Sequence, residues 1–269
     1  MPDITPRWLR LIPPTALTLT NLACGVAASV EAARLIANPA DDGALTRCLI
    51  WFVIGLAADA CDGALARKLD AATTLGRWLD AAADAVTSGI APAMLALAAL
   101  GANAPGSVVA LAFALAAVTR LARFAADPTP RGRHFTGMPA PLAALGLVAV
   151  SAWHLANPTS IDPIAAIAWY AVAAHAALLA TAMQSTLRYR TLGTIAADIQ
   201  NRDPRTARTL AFNAIITPIL VAAWGGLGIA LWTLAYAAAP LLPKLTGRAC
   251  RHALHPADAT DLPYAGYDA

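Results

Sequence analysis

Asp59-Ala60-Cys61-Asp62-Gly63-Ala64-Leu65-Ala66-Arg67, then eight residues, then Gly76-Arg77-Trp78-Leu79-Asp80-Ala81-Ala82-Ala83-Asp84: this stretch sets four carboxylates inside two apolar runs. Asp59 and Asp62 are three apart and Asp80 and Asp84 four apart, so each pair lies on one face of a helix. The loop joining the two helices, near 68–75, is short, and Thr73 or Thr74 can cap the second one. Such helices are antiparallel neighbours. Both carboxylate pairs then sit about one to three turns from the loop and can face each other.

The surroundings of this stretch are those of a bilayer protein. The chain has 269 residues, 58% of them apolar and 13% charged, against roughly 25% charged in a soluble domain. The mean hydropathy is +0.58. Runs of the roughly 20 apolar residues that a spanning helix needs recur near 15–37, 45–67, 76–100, 106–126, 139–157 and 163–185. A further apolar stretch, 209–240, is divided by Gly225-Gly226 and reads as a helical hairpin, with one long tilted helix as the alternative. The expected fold is all-α: a polytopic membrane bundle of six core helices plus this C-terminal hairpin. The expected organisation is an N-terminal interfacial segment over 1–14, a membrane domain over 15–192, the hairpin within 193–243 and a polar cytoplasmic tail over 244–269. The first segment carries Pro2, Pro6, Pro13 and Pro14 and reads as an interfacial helix or a frayed end, with no cleavable leader.

The charges orient the bundle. Arg7 and Arg10 precede the first span, Arg67, Lys68 and Arg77 flank the loop between spans two and three, and Arg120, Arg123, Arg131 and Arg133 flank the loop between spans four and five. Arg188, Arg190, Arg202, Arg205 and Arg208 follow span six. Loops on the other side are poor in cations, with Arg47 standing near Asp41 and Asp42. Cationic loops stay in the cytoplasm. Both termini and the aspartate loop are therefore expected there, in an integral membrane protein that would occupy the inner membrane of a bacterium. A net charge of +3 gives no reason to expect a nucleic-acid partner. Cys24, Cys48, Cys61 and Cys250 have no metal-finger spacing.

Four carboxylates within spans need an explanation, because one aspartate at a helix centre costs about 2.5–3.5 kcal/mol on insertion scales. Two divalent cations would cancel the four charges, and two-metal sites suit displacement at phosphorus. Oxygen ligands favour Mg²⁺, Mn²⁺ or Ca²⁺ over zinc. The competing readings are structural pairing with Arg67, Lys68 and Arg77, and a cation or proton transporter, since carboxylates in spans also build ion pathways. Gly63 and Gly76 lack side chains where a ligand or the facing helix must come close, and Ala66 keeps the same face shallow.

The pattern DxxDGxxAR, eight residues, GxxxDxxxD resembles the signature of the CDP-alcohol phosphotransferases at every fixed position. The resemblance implies six core spans, a homodimer, and two metals, Mg²⁺ or Mn²⁺, held by Asp59, Asp62, Asp80 and Asp84. It implies attack of an alcohol on the β-phosphorus of a CDP-linked donor, with CMP leaving. It makes Asp84 the general base. Asp59, Asp62, Gly63, Ala66, Arg67, Gly76 and Asn21 would line the nucleotide site.

Further stretches resemble the CDP-diacylglycerol–serine phosphatidyltransferases. They are Leu19-Thr20-Asn21-Leu22 with Gly25, Gly89-Ile90-Ala91-Pro92-Ala93, Arg120-Leu121-Ala122-Arg123-Phe124 with Phe135-Thr136-Gly137-Met138-Pro139-Ala140-Pro141, and Gln184-Ser185 with Arg188-Tyr189-Arg190. CDP-diacylglycerol and L-serine are then the expected substrates, with phosphatidylserine and CMP as products. Glycerol 3-phosphate or an inositol phosphate is the alternative acceptor. Arg120 and Arg123 are candidates to hold the donor's phosphates or the acceptor's carboxylate, since arginine binds oxyanions in a bidentate manner. Positive-inside anchoring is the other reading of both.

Overall fold

A computed structural model of the chain describes residues 7–69, 73–126, 134–158, 162–190 and 225–241. Its helices are α1 (Arg7–Ala37), α2 (Asp42–Lys68), α3 (Thr74–Asp84), α4 (Ala91–Ala99), α5 (Ala104–Ala126), α6 (Ala140–Ala156), α7 (Asp162–Gln184) and α8 (Gly226–Ala238). A π-helical turn, Ala85–Ile90, makes α3 and α4 one continuous rod. Among the described residues, five helical runs are long and apolar enough to cross a membrane: Arg10–Ala37, Gly43–Ala66, Thr74–Ala99, Ala104–Ala126 and Ile164–Gln184. The chain is thus a polytopic membrane helical bundle: five of the expected core spans fall on α1, α2, α3–α4, α5 and α7, and the stretch 139–157 falls on α6, a shorter apolar helix of 17 residues.

One boundary differs from expectation. Helix α1 runs unbroken through Pro13 and Pro14, so residues 7–14 continue the first span instead of forming a helix of their own. Two prolines cost two N–H donors, but they fall in the second turn, before the helix is committed to the interior. Of the expected C-terminal hairpin, only the second helix, α8 with the short 3₁₀ turn Ala239–Leu241, is described. Its first half, 209–224, and the tail lie outside the described residues.

Helix α6 is the centre of the bundle. It is 17 residues long, and Ala140, Ala143, Ala144 and Leu147 are wholly buried. One packed cluster joins α6 to α4, α5, α7 and α8 around Phe113, Met138, Leu147, Leu179 and Met183. A second joins it to α1, α2 and α4 around Ala28, Ala32, Phe52 and Leu95. Alanine dominates both, as expected where close backbone approach and van der Waals contact, not water exclusion, hold helices together. Many large apolar side chains also point outward, including Ile50 and Val53 on α2, Leu111 and Leu115 on α5 and Ile167 on α7. This inside-out distribution is that of a lipid-facing surface.

The α1–α2 hairpin is closed at its far end by ion pairs. Arg47 donates to Glu31 Oε2 at 3.0 Å and to Asp41 Oδ2 at 3.3 Å, and Arg34 donates to Glu31 Oε1 at 2.9 Å. Arg47 is therefore neutralised where it stands. At the aspartate end, two three-residue strands, β1 (His134–Thr136) and β2 (Arg188–Arg190), pair antiparallel. The pairing ties the connection before α6 to the exit from α7, so both lie at the same end of the bundle. Gly137 closes this ribbon. Its φ of 79° is left-handed, and its N–H donates to Leu187 O at 2.8 Å.

Candidate active site

Each aspartate is placed by a local rule. Helix α3 begins where Thr73, in extended conformation, accepts a hydrogen bond from Gly76 N at 3.0 Å. That cap fixes the phase of the helix and so puts Asp80 and Asp84 on one face, one turn apart. Asp59 and Asp62 occupy the last turns of α2, and α1 packs against both α2 and α3. Carboxylate oxygens of Asp59, Asp62 and Asp80 come within 4.8 Å of one another. Asp84 lies beside Asp59. Asp62 and Asp84 are buried, whereas Asp59 and Asp80 are partly exposed. One side of the cluster is thus closed by protein and the other remains open.

Helix α1 supplies the closed side. The Thr18 hydroxyl lies 2.6 Å from Asp62 Oδ2 and 3.0 Å from Pro14 O. Asn21, wholly buried, donates from Nδ2 to Asp84 Oδ1 at 2.9 Å. Two aspartates, one on each motif helix, are therefore held by side chains one turn apart on a third helix. Asn21, expected at the nucleotide site, has the Asp84 carboxylate as a partner. Thr18 escaped the sequence reading altogether. Its signal was present as spacing: Pro14, Thr18, Asn21, Gly25, Ala28 and Ala32 recur at three- and four-residue steps and are all buried.

The remaining predicted residues fall as follows. Gly63 and Ala66 lie on α2 one step and one turn beyond Asp62, both partly exposed, and Gly76 is exposed in the first turn of α3. All three flank the open side of the cluster. Arg67 belongs to the last turn of α2, and its side chain lies outside the described residues. Arg120, buried on α5, has its guanidinium carbon 5.9 Å from the Phe124 ring centroid. Arg123 is exposed and donates to Gln184 Oε1, while Gln184 Nε2 donates to Ala116 O at 2.7 Å and Thr119 Oγ1 at 2.8 Å. The end of α7 is thus tied to α5 through Arg123, Ala116 and Thr119.

The donor set suits a divalent cation. Three convergent carboxylates offer hard oxygen ligands without nitrogen or sulfur, a set that selects ions of the Mg²⁺ and Mn²⁺ kind. A fourth, Asp84, adjoins them. The hydrogen bonds from Thr18 and Asn21 occupy one oxygen each, leaving lone pairs on both carboxylates for metal.

Comparison with known proteins agrees with this geometry. The family model for CDP-alcohol phosphatidyltransferase matches residues 11–181. A CDP-diacylglycerol–serine O-phosphatidyltransferase of Bacillus subtilis is 34% identical over 140 residues, covering 51% of this chain and 74% of that protein. A protein of the same name from Mycobacterium bovis is 38% identical over 101 residues, covering 35% of each chain. An archaetidylserine synthase of Methanothermobacter thermautotrophicus is 32% identical over 117 residues, covering 42% of this chain and 48% of that one. The chain therefore spans most of the Bacillus relative and less than half of the other two. With the aspartate signature assembled on two neighbouring helices inside the matched region, the chain belongs to the CDP-alcohol phosphatidyltransferase family and is a membrane transferase.

Proposed function

We propose that the protein transfers a phosphatidyl group from CDP-diacylglycerol to L-serine, giving phosphatidylserine and CMP. The observation that carries the reading is the convergence of the Asp59, Asp62 and Asp80 carboxylates with Asp84 beside them. The serine acceptor is supported by the names of the Bacillus and Mycobacterium relatives. The archaetidylserine synthase differs in its lipid and has the same headgroup in its name, which favours serine over a phosphorylated acceptor.

In this reading Asp59, Asp62 and Asp80 hold the first divalent ion, and Asp84 shares the second. When bound, the ions neutralise the donor's pyrophosphate and the charge that builds on it during displacement. Gly63, Ala66 and Gly76 leave room for the cytidine nucleotide on the open side. Asp84 takes the proton of the serine hydroxyl. That oxygen then bonds to the β-phosphorus of the donor, the bond from this phosphorus to the bridging oxygen breaks, and CMP departs with the electron pair. Asn21 orients Asp84 for this step, and Thr18 orients Asp62. Arg120 and Arg123 hold the donor's phosphates or the serine carboxylate. Lipid tails enter sideways between helices, the active site faces the cytoplasm, both termini lie there, and two copies form a homodimer.

The decisive experiment measures CMP release by purified protein in detergent with CDP-diacylglycerol, Mn²⁺ or Mg²⁺, and serine, glycerol 3-phosphate, inositol phosphate or no acceptor. Serine-dependent release supports the proposal. Release with a different acceptor alone replaces the substrate and keeps the reaction, and ion flux without CMP release would return the transporter.

A further inference from the structure

Asn21 is bonded twice to one turn of the α3–α4 rod. Its side-chain amide donates to Asp84 Oδ1 at 2.9 Å, and its backbone carbonyl accepts from the Thr87 hydroxyl at 3.0 Å. Asp84 and Thr87 are three residues apart, where a helix presents neighbours on one face. Both bonds are buried, with Asn21 wholly so and Thr87 1% exposed.

The backbone around this pair is built to allow it. Thr87 lies in the π-helical turn Ala85–Ile90, which begins at the residue after Asp84. A wide turn of this kind rotates everything after it relative to everything before it, and such turns concentrate at functional sites. Opposite, α1 presents Gly25. A methyl group there would run into Thr87 Oγ1 and stand 2.9 Å from the Thr87 backbone. On the third side, a methyl at Gly55 of α2 would stand 3.0 Å from Thr87 Cγ2 and 3.3 Å from Asn21 Oδ1. Three helices therefore approach at Thr87 with two glycines making the space.

We propose that Thr87 is a positioning residue for the metal site: its hydroxyl pins the π-turn to the Asn21 carbonyl, and this fixes the place of Asp84 relative to the other three aspartates. Thr87 touches neither substrate nor metal. It acts through the geometry of the turn that begins at Asp84. Outer-shell partners of ligating carboxylates typically govern metal affinity by about 10–100-fold. The inference rests on the reading of the aspartates as metal ligands.

The test uses the full-length chain in detergent. Mn²⁺ binding is followed by the loss of the free-ion electron paramagnetic resonance signal, beside metal-activated CMP release and thermal unfolding without metal. Thr87→Val keeps the shape and removes the hydroxyl, Thr87→Ser keeps the hydroxyl, and Thr87→Ala covers the case in which valine does not fold. The valine or alanine variant is expected to bind Mn²⁺ about tenfold or more weakly and to need correspondingly more metal for half-maximal activity. The serine variant is expected to stay close to the parent. Parent-like Mn²⁺ binding by the valine or alanine variant overturns the proposal, as does equal weakening in serine and valine, because a retained hydroxyl would then fail to rescue binding. Absence of Mn²⁺ binding by the unaltered chain overturns the metal reading itself, and that outcome is told apart because it needs no variant.

Discussion

The Thr18 hydroxyl stands 2.6 Å from Oδ2 of Asp62, across the interface between α1 and α2. Asp62 is 3% exposed, so this bond belongs to the closed side of the carboxylate cluster. A donor at that place holds the carboxylate in one orientation, as outer-shell partners of metal ligands do. Thr18→Val removes the donor and keeps the shape. It is expected to raise the Mn²⁺ concentration for half-maximal CMP release by about tenfold or more, with near-parent turnover at saturating metal. Thr18→Ser should restore the parent curve. An unchanged metal dependence in the valine variant would make Thr18 a helix-packing residue only.

Asp84→Asn tests the base. The amide keeps the size of the carboxylate, and its Oδ1 can still accept from Asn21 Nδ2, so the contact to α1 survives the change. What it loses is the capacity to take a proton and one negative charge. Loss of a general base typically costs 10²- to 10⁴-fold in rate, and loss of ligand charge adds to this. Turnover is expected to fall by at least about 10²-fold at saturating metal, with an unfolding temperature no lower than that of the parent. Near-full turnover in this variant would move the base to another group.

How far these sites could be read from sequence follows from the range of the signals. The DxxDG and GxxxDxxxD spacings, the Thr73 cap and the apolar runs are local, and local spacing translates directly into helix faces. They gave the aspartate faces of α2 and α3, the cap of α3 and five of the core spans. Thr18 and Thr87 take their meaning from contacts 44 and 66 residues away, which no local period encodes. Asn21 was legible as a site residue because Leu19-Thr20-Asn21-Leu22 resembled a known stretch, but its partner, a carboxylate, was not. The β1–β2 ribbon was missed for a related reason: three residues per strand are too few to show alternation. The π-turn was hidden because it differs from an α-turn by hydrogen-bond register alone, though Pro92, which has no N–H to continue a regular ladder, marks its downstream edge.

Gly137 offers a test of the ribbon. Its φ of 79° is a region that L-residues rarely adopt, and a methyl group there would run into the Met183 carbonyl oxygen and stand 3.2 Å from that of Ser185. Both obstacles are backbone atoms, so neither can swing aside. The left-handed conformation alone costs alanine about 1–2 kcal/mol. Gly137→Ala is expected to lower the unfolding temperature in detergent by several degrees while leaving the metal requirement of the remaining activity unchanged. Parent-like unfolding would show that the ribbon end relaxes freely and contributes little to the bundle.

Helix α8 lies outside the matched region 11–181, yet its packing is that of an integral part of the bundle. A methyl group at Gly146 of α6 would run into Thr233 Oγ1 of α8 and stand 3.1 Å from His175 Nε2 of α7, and one at Gly226 would stand 2.6 Å from the Ala149 carbonyl. Thr233 is wholly buried, and its hydroxyl donates to Ala230 O at 2.8 Å. Gly146→Ala is therefore expected to push α8 away from α6 and to destabilise by about 1–3 kcal/mol, the usual range for overpacking. Thr233→Ala removes the nearer obstacle, Oγ1, and leaves the Thr233 Cβ position 2.9 Å from the added methyl, so the relief is partial. If the two residues meet as described, the double variant should be more stable than the sum of the single effects predicts, by a coupling of about 0.5–3 kcal/mol. Strict additivity in detergent unfolding would mean that α8 does not rest on Gly146 in the folded protein, and would detach the C-terminal helix from the catalytic bundle.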